Sequence, residues 1–362
     1  MFDFIPVQYY ATLYYYILLL VVLLTFLKSY YVALNSKQNL QAKKSTALFL
    51  LIFTTFYIGL RQVNGAYFGD MANYAMFFEN YQQGYTSPIK KDYVFETFME
   101  LCSKIMTVNV FFFICAVLYI LPLWSACKTW FKDYHFYAFL ALLLSFSFWG
   151  YGVNGIRNGI ATSIFLYGLS REKLKYKVIL ILIAIGFHKS IIIPTAAFSL
   201  TFLYKNIKVY LFFWLLCIPL SILSGGFWEN LFSRFMEDDR ASYLIEGNVN
   251  GDTFSSTGFR WDFVIYSAAA VYSAYFFIIR KNFMDEKYNT LVCIYLTSNA
   301  FWILVIRANF SNRFAYLSWF MMAIIIFYPF LTKIQFEKQH KVLCTVLLVY
   351  FSFTFLMNVI LS

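Results

Sequence analysis

The chain has 362 residues, of which 61% are hydrophobic and 13% charged, and its formal net charge is +11. Soluble domains contain about 25% charged residues, so this composition excludes an ordinary soluble domain. Apolar runs of about 14 to 21 residues cover most of the length and predict an all-α polytopic integral membrane protein, a single domain over residues 1–362. A membrane β-barrel, whose short segments alternate apolar and polar residues, is excluded as well.

Ten apolar segments are predicted to cross the bilayer. A further segment, 178–203, could cross once as a long helix. It could instead form two short helices that meet at FHKS, residues 187–190, with Pro194 early in the second. The ten predicted spans are roughly 9–27, 46–60, 109–127, 134–150, 157–170, 209–224, 263–279, 288–306, 314–331 and 342–361.

The distribution of basic residues favours the two short helices. In that arrangement the cytoplasmic loops hold 18 of the 29 basic residues and 5 of the 18 acidic ones, as the positive-inside rule requires. A single crossing would instead put the lysines of TKIQFEKQHK, residues 332–341, on the outer side. The prediction therefore places both termini outside. No cleavable signal peptide is expected, because the first residues lack a positive segment.

The same distribution excludes a nucleic-acid-binding role. The excess positive charge is spread over short cytoplasmic loops, and no basic stripe with interleaved aromatic residues gathers on one face. Two long outer loops are predicted, at about 61–108 and 225–262. The chain has no phosphate-binding loop and no dinucleotide or nucleophile-elbow motif, and its six cysteines form no CxxC pair. Neither a cofactor nor a metal is therefore predicted.

Two polar residues interrupt apolar segments in the middle of the chain. Arg157 stands among glycines in GVNGIRNGIATS, residues 152–163. An arginine beside a helix N-terminus is suited to bind a phosphate or pyrophosphate, because the guanidinium binds it bidentately. His188, in GFHKS, can act as a base or phosphate ligand near neutral pH. A structural histidine bonded to a loop carbonyl is the alternative.

Other polar residues are predicted on the same outer side. If the first long loop is helical, Asp70, Tyr74 and Phe78 share one face, and Glu96 is a second acidic candidate. A solvated loop acid is the alternative for Asp70. The arginines at predicted span ends could bind a ligand or reach the membrane interface; they are Arg61, Arg260, Arg307 and Arg313. Asp238 and Asp239 fit a solvated loop helix better than a metal site.

Two motifs follow each other in a fixed order. GIRNGIATSIFLYGL, residues 155–169, begins with R-x-G-x-A, and ILIAIGFHKSIIIP, residues 181–194, contains F-H-x-S. Their order, their spacing and their predicted side of the membrane resemble the EpsG-like family of O-antigen and exopolysaccharide polymerases, the Wzy type. The residues that match these two motifs are Arg157, Gly159, Ala161, Phe187, His188 and Ser190.

Further elements of the resemblance lie in the outer loops. An arginine followed by D-x-x-x-Y is similar to Arg61 and the segment from Asp70 to Tyr74, and a later glutamate is similar to Glu96. Arg313 with Phe314 or Tyr316 fits more loosely. The resemblance covers residues 60–200 in its motifs and the remainder mainly by topology, and the second outer loop shows no match.

The resemblance implies a GT-C-like membrane glycosyltransferase in the bacterial cytoplasmic (inner) membrane, with periplasmic termini. Such an enzyme transfers a growing glycan from undecaprenyl pyrophosphate to one lipid-linked repeat unit. Its partners are that lipid-linked donor and acceptor, the bilayer and a chain-length regulator. Positive charge stabilises the anionic leaving group, and a carboxylate or histidine accepts the proton of the incoming hydroxyl. The predicted substrate-binding residues are Arg157, Arg61, Arg313, Arg260 and Tyr74, and the predicted bases are Asp70, His188 and Glu96.

Three other functions fit the composition. A flippase or transporter for lipid-linked glycans would be expected to show an internal repeat with paired interrupted helices, and we find none. An O-antigen ligase shares the chemistry but uses a different acceptor. A membrane acyltransferase needs a histidine within reach of an acyl donor, and two of the three histidines, His135 and His340, are predicted on the cytoplasmic side.

Overall fold

The computed structural model describes residues 4–85, 92–233, 258–308 and 311–361. Over these residues the chain is 82% helical and contains no strand, so the predicted all-α class is confirmed. The α-helices are α1 Tyr10–Lys28, α2 Lys37–Gly59, α3 Gly65–Phe68, α4 Met71–Gln82, α5 Tyr93–Ser103, α6 Val108–Phe131, α7 His135–Leu143, α8 Phe146–Val153, α9 Ile156–Leu169, α10 Leu174–Phe187, α11 Ile192–Leu203, α12 Ile207–Ser233, α13 Trp261–Ala274, α14 Glu286–Leu304, α15 Ser311–Thr332 and α16 Gln339–Phe355.

Six helical segments of the described chain are long and apolar enough to cross a membrane, which makes this a multi-pass membrane protein. The predicted ten crossings and the GT-C-like fold stay predictions. Helices α9 and α10 have 14 residues each and rise about 21 Å, less than the roughly 30 Å hydrocarbon thickness. The six segments are Val7–Lys28, Val108–Leu143, Ile207–Ser224, Trp261–Arg280, Ser311–Thr332 and Gln339–Ile360.

The helix bounds test three predictions made for particular segments of the chain. The segment 178–203 contains two helices, α10 and α11, and they are separated at residues 188–191, as the charge distribution predicts. The predicted span 134–150 is wrong as one helix. Its backbone becomes extended at Ser145 (φ −69°, ψ 144°), where α8 begins. The described residues of the predicted loop at 61–108 contain three helices, α3, α4 and α5.

The chain divides into two compact units, and each is described by itself. Unit 1 comprises Met1–Ile191 with Phe330–Ser362, and unit 2 comprises Ile192–Pro329. In unit 1, α9 packs against α6 and α10, α2 packs against α6, and α5 packs against α4 and α10. In unit 2, α14 packs against α11 and α12.

The core of unit 2 contains a buried polar network. The Asn299 amide accepts from Trp214 Nε1 at 2.7 Å and donates to the hydroxyls of Ser267 and Ser318. Trp319 Nε1 also donates to Ser267, at 2.7 Å. Buried polar groups in an apolar interior are costly unless they are hydrogen-bonded. This network therefore fixes how α12, α13, α14 and α15 pack within the unit.

Candidate functional site

A buried carboxylate, Asp92, lies at the centre of the polar residues that unit 1 brings together. Its Oδ2 accepts from Arg157 Nη1 at 2.8 Å, and its Oδ1 accepts from the Lys189 backbone N–H at 3.1 Å. His188 Nδ1 is 3.6 Å from the same Oδ1. The Asp92 side chain is 5% exposed and that of His188 is 3% exposed, whereas that of Arg157 is 30% exposed. We call Tyr74, Asp92, Glu96, Arg157 and His188 the Asp92 cluster.

Two of the three nitrogens of the Arg157 guanidinium are hydrogen-bonded within the Asp92 cluster. Its Nε donates to the Tyr74 hydroxyl at 3.2 Å and its Nη1 to Asp92. Burial raises the pKa of Tyr74, and Arg157 opposes that rise, so Tyr74 is a neutral phenol that accepts the Nε–H. Within the described chain Nη2 makes no hydrogen bond, and the side chain is partly exposed. Nη2 can therefore donate to an anion while Tyr74 and Asp92 hold Nε and Nη1.

The glycines around Arg157 serve close helix packing. A Cβ on Gly159 would lie 2.6 Å from the Tyr151 backbone oxygen, which is closer than real Cβ contacts. The first turn of α9 can therefore approach α8 only without a side chain at this position. The close contact of α9 with α8 fixes the position from which the Arg157 side chain extends.

His188 ends α10 in an extended conformation, with φ −157° and ψ 119°. The Ser190 backbone N–H lies 3.4 Å from its Nδ1. The Ser190 hydroxyl donates to Asn158 Oδ1 at 2.9 Å. Asn158 follows Arg157 and Ser190 belongs to F-H-x-S, so the two sequence motifs touch each other directly.

Glu96 lies in the first turn of α5, one turn after Asp92. Its Oε1 accepts from the Asp92 backbone N–H at 3.3 Å, and its charge acts favourably on Arg157. A carboxylate at the start of a helix is stabilised by the free N–H groups there. Glu96 thus helps to hold Asp92 at the N-terminus of α5.

Arg61 and Asp70 hold the turn that precedes Arg157. Arg61 is 3% exposed and donates to the carbonyls of Ile58 and Val153, the latter at 2.9 Å. Burial lowers the pKa of Arg61 to about 10, so it stays charged at neutral pH. The Asp70 backbone N–H donates to Asn154 Oδ1 at 2.8 Å. Arg61 therefore lies under the α8–α9 turn and is covered by the protein.

Three of the candidate arginines belong to unit 2. Arg260 donates to both carboxylate oxygens of Asp262, at 2.9 and 2.6 Å, and its guanidinium lies 3.8 Å from the Phe263 ring centre. Arg307 donates to the carbonyls of Ser221 and Ile222, at 3.2 and 3.4 Å. Arg313 is exposed near the start of α15. Asp238 and Asp239 lie outside the described residues.

The sequence did not single out two buried acids, Asp92 in unit 1 and Glu229 in unit 2. Glu229 is 7% exposed, and within the described chain its Oε1 has no hydrogen-bond partner. Burial raises its pKa to about 7, and Arg307 opposes that rise. Asp92 follows two lysines in KKDYVFETF, where it resembles a solvated loop acid. Glu229 falls in the predicted loop at 225–262. Neither position carries a periodic signal that would reveal burial.

Among the residues that the structure describes, no group of three or more His, Cys, Asp or Glu side chains is arranged to hold a metal ion. All six cysteines are buried and unpaired.

The family comparison agrees with the motif pattern. The model of the EpsG family matches residues 44–362, a range that includes the Asp92 cluster and all of unit 2. No curated protein and no solved structure matches the chain. Because the family model covers most of the sequence, the chain belongs to the EpsG family.

Proposed function

We propose that the protein polymerises oligosaccharide repeat units carried on undecaprenyl pyrophosphate, at the outer face of the bacterial cytoplasmic membrane. One observation carries the proposal: the arginine and the histidine of the two family motifs meet at one buried carboxylate, Asp92. Family membership supports a polysaccharide-polymerising role, and the six apolar helices fit a protein that acts on a lipid-linked substrate.

The reaction is a glycosyl transfer in which the acceptor hydroxyl oxygen bonds to the anomeric carbon of the donor. The bond from that carbon to the pyrophosphate oxygen breaks, and undecaprenyl pyrophosphate leaves with the electron pair. Arg157, through its Nη2 group, stabilises the developing negative charge. His188 accepts the proton of the attacking hydroxyl.

The remaining predicted residues receive supporting roles. Arg61 and Asp70 position the α8–α9 turn through Val153 and Asn154, and Tyr74 accepts from Arg157 Nε. Glu96 stays the alternative base because of its place beside Arg157. The substrate-binding roles of Arg260 and Arg313 in unit 2 stay proposals from the sequence pattern.

The proposal is tested on surface glycan from cells in which the gene is deleted and replaced by a variant. We expect Arg157→Gln and His188→Gln to give glycan of a single repeat, in comparison with wild-type protein expressed at the same level by immunoblot. The matched control is Arg171→Gln. Arg171 donates to Thr129 and Ser170 in a loop that is predicted to be cytoplasmic, so this variant should give the full ladder.

Three results would contradict the proposal. A full ladder from Arg157→Gln would remove Arg157 from the reaction. Repeat units trapped on the inner leaflet of the deletion strain would indicate a flippase. Polymer that accumulates on its carrier lipid would indicate a ligase.

A further inference from the structure

We propose that Asp92 is a positioning residue that sets both Arg157 and His188 and controls the protonation of His188. Each oxygen of this carboxylate serves a different partner. Oδ2 takes Arg157 Nη1, and Oδ1 faces His188 Nδ1 and the backbone N–H of Lys189. One side chain on α5 thus connects the start of α9 with the end of α10.

The position of Asp92 depends on tight contact between α5 and α10. A Cβ on Gly186 would lie 3.2 Å from Val94 Cβ and still closer to Val94 Cγ2. Gly186 stands two residues before His188, and Val94 stands two residues after Asp92. The contact between Gly186 and Val94 therefore keeps the N-terminus of α5 close to the C-terminal end of α10, where Asp92 lies beside His188.

The electrostatic consequence follows from the charges around His188. Among the described residues of unit 1, the charged and titratable groups near His188 are Asp92 and Arg157, with Glu96 and Tyr74 beside Arg157 and Lys189 as its chain neighbour. An opposite charge within about 4 to 6 Å favours the ionised form of a titrating group. Asp92 at 3.6 Å favours protonated His188, and Arg157 partly neutralises Asp92.

This arrangement predicts shifts of opposite sign for two substitutions. Asp92→Asn removes the negative charge, so the titration midpoint of His188 should fall by about 1 to 2 pH units. Arg157→Gln removes the neutralising cation, so the midpoint should rise. A general loosening of the structure would not move the two variants in opposite directions.

The measurement is NMR of ¹³C-histidine-labelled full-length protein in lipid nanodiscs between pH 5 and 9. The chain has three histidines, and the resonance of His188 is the one lost in His188→Gln. Asp133→Asn is the control, because Asp133 is 57% exposed and pairs with Lys44. It should leave the His188 midpoint unchanged.

The positioning role also has an activity readout, which rests on the proposed function. Per molecule of protein, Asp92→Asn should extend glycan at least about 10-fold more slowly than the wild type, whereas Asp92→Glu should be intermediate and keep the wild-type midpoint. An unchanged midpoint in both Asp92→Asn and Arg157→Gln would overturn the inference. Opposite shifts in a protein that extends no glycan would overturn the proposed function and leave the positioning role standing.

Discussion

The contact between Gly186 and Val94 provides a sharp test of the Asp92 cluster. Gly186→Ala would place a methyl group 3.2 Å from Val94 Cβ and closer to Cγ2, where ordinary contacts are 3.4–4 Å. Val94 is β-branched and cannot rotate away freely. Helices α5 and α10 must therefore separate by about 1 Å, an overpacking that costs about 1 to 3 kcal/mol.

The separation should reduce activity more than stability. A displacement of about 1 Å within a reacting site can cost about 100-fold in rate. It would lengthen the 2.8 Å contact from Asp92 to Arg157 and the 3.6 Å distance from Asp92 to His188. We expect Gly186→Ala to extend glycan roughly 30- to 100-fold more slowly in membrane vesicles supplied with lipid-linked repeat units.

A compensating variant separates this mechanism from a general loss of structure. Val94→Ala removes the Cγ atoms, so the double variant Gly186→Ala/Val94→Ala should recover most of the rate. Gly226→Ala is the matched control, because no atom of the described residues lies within 4 Å of a Cβ at that position. A fully active Gly186→Ala variant would refute the reasoning, and so would a double variant no faster than the single one.

Three further predictions follow from buried charges. Arg157→Gln leaves Asp92 ionised, 5% exposed and without its cationic partner, so the variant should lose about 3 kcal/mol of unfolding free energy in a urea titration. The double variant Arg157→Gln/Asp92→Asn should recover part of this stability but none of the activity. Arg61→Ala removes two hydrogen-bond donors from buried carbonyls and should lower the unfolding free energy by about 2 to 3 kcal/mol. Arg61→Lys loses the planar guanidinium and should recover only part of that free energy. Equal stability of the wild type and both variants would contradict the role given to Arg61. Folding raises the pKa of Glu229 to about 7 from an ordinary value of about 4.3. Its protonated form therefore contributes stability that is complete below about pH 4.3 and lost as the pH rises through 7. Over this range the melting temperature should fall less in Glu229→Gln than in the wild type, and identical profiles of the two proteins would show that Glu229 does not titrate there.

The apolar segments could be located from the sequence because hydrophobic length is a strong signal in membrane proteins. Each predicted span falls on a helix, apart from 134–150, which Ser145 divides. The two helices within 178–203 were predicted from the lysines of the flanking loops, since no apolar pattern distinguishes one long helix from two short ones. The helices α3 to α5 were less visible, because their polar and aromatic residues resemble those of a loop.

The candidate site was predicted only in its exposed and motif-bearing parts. Arg157 and His188 stood out because each interrupts an apolar run, a costly arrangement in a bilayer. Asp92 did not stand out, since its burial arises from tertiary packing of α5 on α10 that local sequence does not encode. The burial of Arg61 has the same origin: its carbonyl partner Val153 is 92 residues away in the chain.

The hydrogen bond between Asn158 and Ser190 has a consequence for exchanging parts between members of the family. Residues 156–191 form a helical hairpin that carries Arg157 and His188, and this bond joins its two ends opposite the turn at 170–173. The hairpin can therefore be transplanted as one cassette, whereas exchange of either helix alone would separate the bonded pair. The protein that receives the hairpin must have a carboxylate at the position of Asp92 and, at the position of Val94, a side chain that fits against Gly186. Chimeras between family members should accordingly exchange residues 92–103 and 156–191 at the same time. Each recipient then receives a matched carboxylate, arginine and histidine.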